Sequence, residues 1–344
     1  MDNGECLMFN IQCSMFNNKL TYRLLMLFAD LAGAVLPALL LSAALSSCQK
    51  ELVYPKPPVN YGLNIRFEWN DSIPPAPDEM AVVAFSGESQ PVRYPLPGYL
   101  GGEIDMVPDT YSLIAYNNDT DNGMRGVTWD GFEVYTVGAD LRTMFQVFAS
   151  TRNIPKAKDT DEQDTVWEPE RIWTSALDSV AVDETSLGRP VTMPMRDATM
   201  VYSFIIYEVD NLSFIKSLVG SISGMSVSMY PSTHRPSNTQ VIIAFPMDKT
   251  GDASIRGSLR TFGHCPNYED GSFASHMLVI YAELNTGEKY YYTYDVTEQM
   301  HKQPHGGVIE LSRLPIPKPI TNGSGIQPDV DEWSEVHIDI DMKH

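Results

Sequence analysis

Apolar residues recur at every second position through most of this chain, and that period restricts what it can fold into. In residues 62–69, Leu63, Ile65, Phe67 and Trp69 alternate with Asn64, Arg66 and Glu68, so a strand there would turn one face to a core and the other to water. The same reading predicts strands over residues 80–85, 111–116, 132–137, 144–149, 179–182 and 191–193. Past Thr199 it predicts strands over 200–209, 241–245, 254–261, 276–284, 289–296, 307–311 and 335–342. The turns between them are rich in Gly, Pro, Asn and Asp, and an all-β sandwich of antiparallel sheets is the expectation. One helix is predicted, over residues 212–219, where Leu212, Ile215, Leu218 and Val219 fit a helical stripe. Residues 314–328, with Pro315, Pro317, Pro319 and Pro328, read as a long surface loop before the last strand.

The first sixty residues follow other rules. An apolar run over residues 24–45 is broken by Asp30, which leaves 31–45 with the length of a signal-peptide core, preceded by Lys19 and Arg23. It ends in Leu45-Ser46-Ser47-Cys48, the pattern of a bacterial lipobox, in which cleavage falls between Ser47 and Cys48 and the Cys48 thiol is acylated. An uncleaved membrane anchor is the alternative, since ~20 apolar residues suffice to cross a bilayer. The lipoprotein reading makes residues 1–47 a signal peptide and 48–60 a Pro-rich membrane spacer carrying Pro55, Pro57 and Pro58. The 284 residues that follow the spacer exceed one ordinary domain. The expected division is an N-terminal sandwich over 61–196 and a C-terminal sandwich over 197–344.

Composition narrows the partners. A formal net charge of −20 repels phosphate backbones and argues against nucleic acid. Anionic membrane surfaces are repelled too, which leaves the lipid as the link to the outer membrane. Cys6 and Cys13 precede the cleavage point and Cys48 carries the lipid, so Cys265 stands alone. A disulfide and a cysteine-based zinc site are both excluded in the processed chain, and Cys265 reads as a small buried hydrophobe.

Several short patterns invite a chemical reading. Ser213-Phe214-Ile215-Lys216 and Lys249-Thr250-Gly251 match two signatures of serine β-lactamases, but the middle element is missing and the surroundings are β-rich, so chance pairing is favoured. His337, Asp339 and Asp341 alternate with apolar residues and could meet a cation, although a solvated strand face explains them as well. Residues 117–123 look loosely like a calcium loop whose Gly is misplaced, and read as a turn. Tyr290, Tyr292 and Tyr294 share one strand face, either as core filling or as a platform for sugar rings. His264-Cys265 with His276 reads as core. With no nucleophile elbow, phosphate-cradling loop or HExxH site, no enzymatic activity, cofactor or metal is expected. Three Asp-Ser/Thr-aliphatic tripeptides, at Ser72, Thr165 and Ser179, match an O-glycosylation sequon of exported bacterial proteins. Thr165 is favoured because residues 153–164 read as an exposed acidic loop.

Taken in order, several segments resemble one family. They are residues 62–69 after the spacer, Gly101-Gly102, Thr110-Tyr111, residues 116–119, residues 220–225 (GSISGM), Phe262-Gly263, residues 294–297 with Gln299, residues 314–317 and residues 325–333 (GIQPDVDEW). On these the chain resembles the fimbrillin-like lipoproteins of Bacteroidales, an uncharacterised family related to minor-fimbrium anchoring subunits. The resemblance implies two tandem transthyretin-like β-sandwich domains and a lipid-anchored outer-membrane surface protein. Such a protein would act as an anchoring or minor fimbrial subunit through β-strand addition to fimbrial subunits. The alternative is a surface lipoprotein that binds a glycan or host protein through exposed loops.

Overall fold

A computed structural model describes residues 59–70, 75–87, 89–139, 154–319 and 333–336, all within Pro58–His344, one of two units into which the chain divides. The strands are β1 (Tyr61–Trp69), β2 (Glu79–Phe85), β3 (Val92–Pro97), β4 (Gly101–Met106), β5 (Asp109–Asn117), β6 (Gly123–Arg125), β7 (Glu133–Tyr135), β8 (Asp164–Val166), β9 (Trp173–Val182) and β10 (Pro190–Asp197). They continue as β11 (Met200–Val209), β12 (Ile215–Ser226), β13 (Ser228–Tyr230), β14 (Arg235–Pro236), β15 (Gln240–Lys249), β16 (Ile255–Thr261), β17 (Met277–Leu284), β18 (Lys289–Asp295), β19 (Gly307–Leu314) and β20 (Trp333–Val336).

The structure is nearly all β, with sheets curled into sandwich-like shapes. The first sheet runs β3-β2-β5-β9-β10-β1-β4. It bends where β9 passes to β10 through a short pairing at Trp173 and Thr174 with Asp197 and Arg196. The bend folds the sheet over a core of Leu63, Ile65 and Phe67 from β1, Met80 and Val82 from β2, Leu113 from β5 and Met193 from β10. The alternation read in residues 62–69 is therefore the inner face of β1, and Asn64, Arg66 and Glu68 are exposed as that pattern requires.

The second sheet runs β19-β11-β16-β15-β12-β17-β18-β20, with β8 beside β15. It closes over Tyr202, Phe204, Ile222, Phe245, Leu278, Tyr292 and Tyr294, with Phe204 and Phe245 stacked at 5.1 Å between ring centroids. β19 and β20 lie parallel to their neighbours, β11 and β18. A small third sheet, β14-β13-β7-β6, takes two strands from each half of the chain. Behind it Ala81, Val83, Phe85, Ile114 and Tyr116 pack with Met229 and Phe262, so the two halves share buried apolar surface.

The helix expected over residues 212–219 is absent. Leu212–Phe214 is a single 3-10 turn and the chain then enters β12. The apolar spacing fits a helix locally, but β12 lies between β15 and β17 and is buried on both faces from Leu218 onward. Leu218 and Ile222 face the large core, whereas Val219 packs on the other side against Ala157, Val279 and Tyr281. A strand covered on both faces carries no period-two signal. The motif GSISGM lies in this strand. A side chain at Gly220 would strike the Phe245 ring, and Gly224 has φ +75° where a Cβ would meet the Ser275 carbonyl and crowd His276. Gly224 also falls at a β-bulge, where the pairing with β15 shifts between Ile222 and Met225.

Other expectations need adjustment. β3 and β4 went unread because Pro95, Pro97, Gly101 and Gly102 are poor strand formers. Residues 154–163 are a loop as expected but not wholly exposed, since Ala157 and Thr160 are buried and Tyr281 donates to the Pro155 carbonyl at 2.7 Å. The loop after residue 314 begins docked, with Ile316 buried. The expected strand over 144–149 and most of the last strand lie outside the described residues.

Candidate functional site

A protein that joins others through its sheets does so at strand edges, where backbone N–H and C=O groups lack partners. Two edges of this fold are built to be covered. At β3, which pairs on one side with β2, Pro95 and Pro97 have the same parity along the strand, and neither can donate a hydrogen bond. Proline is tolerated where the missing N–H would face outward, so the outer side of β3 has lost two donors.

At β19 the device is different. This strand pairs with β11 on its inner side, which leaves Val308 and Glu310 turning their backbone groups outward. The carboxamide of Gln303 takes both groups of Val308: its Nε2 donates to the Val308 carbonyl at 2.8 Å, and its Oε1 accepts from the Val308 N–H at 2.9 Å. Gln299 does the same at Glu310, at 3.1 and 3.2 Å. A primary amide carries one acceptor and two donors on adjacent atoms, the same pair that a neighbouring strand would offer. Gln299 sits in the short helix Thr297–His301 and Gln303 follows it four residues on, so the two glutamines stand where an added strand would lie. Gly307 leaves the space that the Gln303 side chain occupies. Gln299 was noted in the sequence only as part of a motif, and Gln303 was missed. Their spacing of four before a predicted strand is the one sequence signal that could have drawn attention to them.

At the other end of the second sheet, β20 pairs with Lys289–Tyr292 of β18, and Trp333 meets Tyr281 edge-on at 5.4 Å. The last strand thus starts by completing its own sheet. His337, Asp339 and Asp341 lie outside the described residues.

The tyrosine row is core at Tyr292 and Tyr294, with Tyr290 half-buried against it. Tyr292 and Tyr294 are fully buried and their hydroxyls donate to the carbonyls of Pro315 at 3.3 Å and Arg313 at 3.1 Å. Burial raises both phenols well above their ordinary pKa. They offer no platform to a sugar. The lysines of the β-lactamase-like motifs are likewise occupied: Lys216 pairs with Glu283 at 2.9 Å, and Lys249 donates to the Ile215 carbonyl. Ser213 lies in the 3-10 turn and Lys216 on β12, so they are not one helical turn apart. In the 117–123 turn the Asn117 and Asn122 carboxamides hold the backbone of Trp173 and Glu170.

Of the modification candidates, Ser47, Cys48 and Ser72 lie outside the described residues. Thr165 is half-buried in β8, which pairs with β15. Ser179 is exposed with φ +57°, beside a bulge in the pairing of β9 with β5, and Ser112 donates to the adjacent Asp178 carboxylate at 2.7 Å.

One cluster has metal-ligating chemistry. His264, His276 and His301 each bring one ring nitrogen within 4.8 Å of those of the other two. His264 follows β16, His276 precedes β17, and His301 ends the short helix. His264 and His276 are buried, and His301 is half-buried. Burial, with the neighbouring histidines, lowers the pKa of His264 to about 3, and burial lowers that of His276 to about 4, so both rings are neutral at pH 7. Cys265, whose thiol burial pushes up to about 11, borders a different cavity from His264. In the sequence His264 and His276 stand near Cys265, whereas His301 carries no local signal.

Comparison with known proteins adds the family. Residues 46–246 match the family model described as Domain of unknown function (DUF5119). The chain belongs to this family. Over 184 residues, 53% of this chain and 50% of that protein, it is 23% identical to a Bacteroides ovatus protein named "Putative fimbrium anchoring subunit Fim4B". The match thus spans about half the length of that curated relative. Among solved structures, a Bacteroides ovatus protein described as a "putative adhesin" has a TM-score of 0.57 at 19% identity, covering 76% of this chain and 95% of its own, which shows a shared fold. The fimbrial anchor protein Mfa2 from Porphyromonas gingivalis has a TM-score of 0.44 at 10% identity, over 74% of this chain and 91% of its own.

Proposed function

We propose that this chain is a lipid-anchored protein of the outer-membrane surface that seats or terminates a fimbrium, its two halves being tandem transthyretin-like sandwiches. The likeness to a protein named as a fimbrium anchoring subunit carries this reading. The lipobox at Cys48 supplies the attachment, and the Pro-rich spacer holds the body off the bilayer. An anchor needs one end fixed and one edge for its neighbour. The prolines of β3 remove donors permanently, whereas the glutamines at β19 offer hydrogen bonds that an incoming strand can replace one for one. On this reading β19, in the half distal to the lipid, is the edge used in strand addition. No catalytic role is part of the proposal.

Deleting the gene should move fimbriae from cells to the medium, and an unchanged partition rejects the anchoring role. Cys48→Ala should abolish labelling by a fatty-acid analogue and processing at Ser47-Cys48, and equal labelling of both forms rejects lipidation. Peptide mass mapping of native protein should place any O-linked sugar on exposed Ser179 ahead of half-buried Thr165.

A further inference from the structure

Counting protons among the three histidines leaves a gap. Tyr202 has one hydroxyl proton, and it donates to the Gln303 carbonyl, which can only accept. Its oxygen also lies 2.6 Å from Nε2 of His264, so that contact needs the proton on Nε2. Nδ1 of His276 lies 3.0 Å from the Ser223 carbonyl, so it too must carry a proton. A neutral imidazole has one N–H. Nδ1 of His264 and Nε2 of His276 are therefore both bare, and they face each other at 2.7 Å. Two lone pairs at that distance repel unless a positive charge lies between them. His301 bonds the Ala274 carbonyl through Nε2 at 3.0 Å, which fixes its proton on that nitrogen and completes the set.

We propose that His264, His276 and His301 form a binding site for a zinc-type divalent transition-metal ion. Each ring already has the outer partner that orients a ligating histidine: Tyr202 for His264, the Ser223 carbonyl for His276 and the Ala274 carbonyl for His301. Three neutral imidazoles form the ligand set of open zinc sites, which leave a further position for water or another donor. Zinc–nitrogen bonds of about 2.0–2.1 Å in a tetrahedral site set ligand nitrogens about 3.3 Å apart, so the facing rings separate by roughly 0.6 Å on binding. His264 borders a cavity of about 260 Å3, shared with Phe273, Pro304 and His305, through which an ion can enter. Gly224 provides the room for the His276 ring. The ion would pin the segment after β16 to the helix whose Gln299 covers β19.

The test uses the full chain in detergent, stripped with chelator and titrated with zinc by calorimetry and with cobalt by visible absorption. One equivalent should bind, with a tetrahedral cobalt spectrum. His301→Ala and His301→Gln, at a half-buried position, should weaken binding by more than about tenfold, and Tyr202→Phe by about 10- to 100-fold. The triple variant His337→Ala, Asp339→Ala, Asp341→Ala should bind as the wild type does. Absence of binding at roughly 0.1 mM zinc, undiminished binding by both folded His301 variants, or loss of the equivalent in the triple variant overturns the proposal.

Discussion

Among the described residues, the edge strands β3 and β19 present the same problem, a row of backbone groups without a neighbouring strand, and they meet it differently. β3 removes donors covalently through Pro95 and Pro97. β19 keeps its groups and satisfies them with Gln299 and Gln303. The first device is permanent and belongs to the strand itself. The second depends on a helix held elsewhere in the fold, and it can be exchanged for a real strand without leaving buried polar groups unpaired. A closed edge resists aggregation, whereas an exchangeable one can be used for assembly.

Mutation at the two edges should separate these devices. The largest effect is expected at Gly306, which leads into β19 with φ +94° and would set a Cβ 2.6 Å from the Val201 carbonyl. Gly306→Ala should cost about 2–4 kcal/mol in urea unfolding, from strain and collision with fixed backbone. Gly98, after β3, has φ +72° but open space around it, so Gly98→Ala should cost only about 1–2 kcal/mol. Equal losses would mean that crowding at the entry to β19 does not matter.

The next effect sharpens the contrast itself. Removing both carboxamides with Gln299→Ala and Gln303→Ala breaks four hydrogen bonds at a partly exposed edge and should cost about 1–3 kcal/mol. Hydrogen exchange should quicken at the Val308 and Glu310 amides and stay unchanged in β2 and β5. Exchange that rises evenly across the molecule would show that the glutamines act on global stability and not on the edge.

The smallest effect on stability belongs to β3. Pro95→Thr with Pro97→Thr should change unfolding free energy by no more than about 1 kcal/mol, because no ladder bond to β2 is lost. It restores outward donors, so sedimentation should show concentration-dependent association absent from the wild type. A variant that stays monomeric at high concentration would show that something other than proline protects this edge.

Strands with one buried face were readable from local pattern. β1 and β11 come out within a residue of their expected limits, because alternation reports the face on which a core lies. β12 was misread at its start and unread beyond, since Leu218 and Val219 bury on opposite faces and its Gly and Ser residues resemble a turn. The candidate sites divide the same way. Cys48 and the three tripeptides are contiguous patterns. His264, His276 and His301 come from three elements with no metal-binding spacing, so nothing local distinguishes them from core histidines.

From the sequence alone came the strand period and the acidic charge that argues against nucleic acid. Each depends on residue type and near-neighbour order, which the chain carries whether folded or not. The tertiary structure decided that residues 215–226 form a central strand, that Tyr292 and Tyr294 are core, that two glutamines stand in for a strand beside β19, and that three histidines meet. These are contacts between residues far apart in the chain, fixed by how the sheets curl and which faces they cover, and a reading of neighbouring residues contains no measure of that distance.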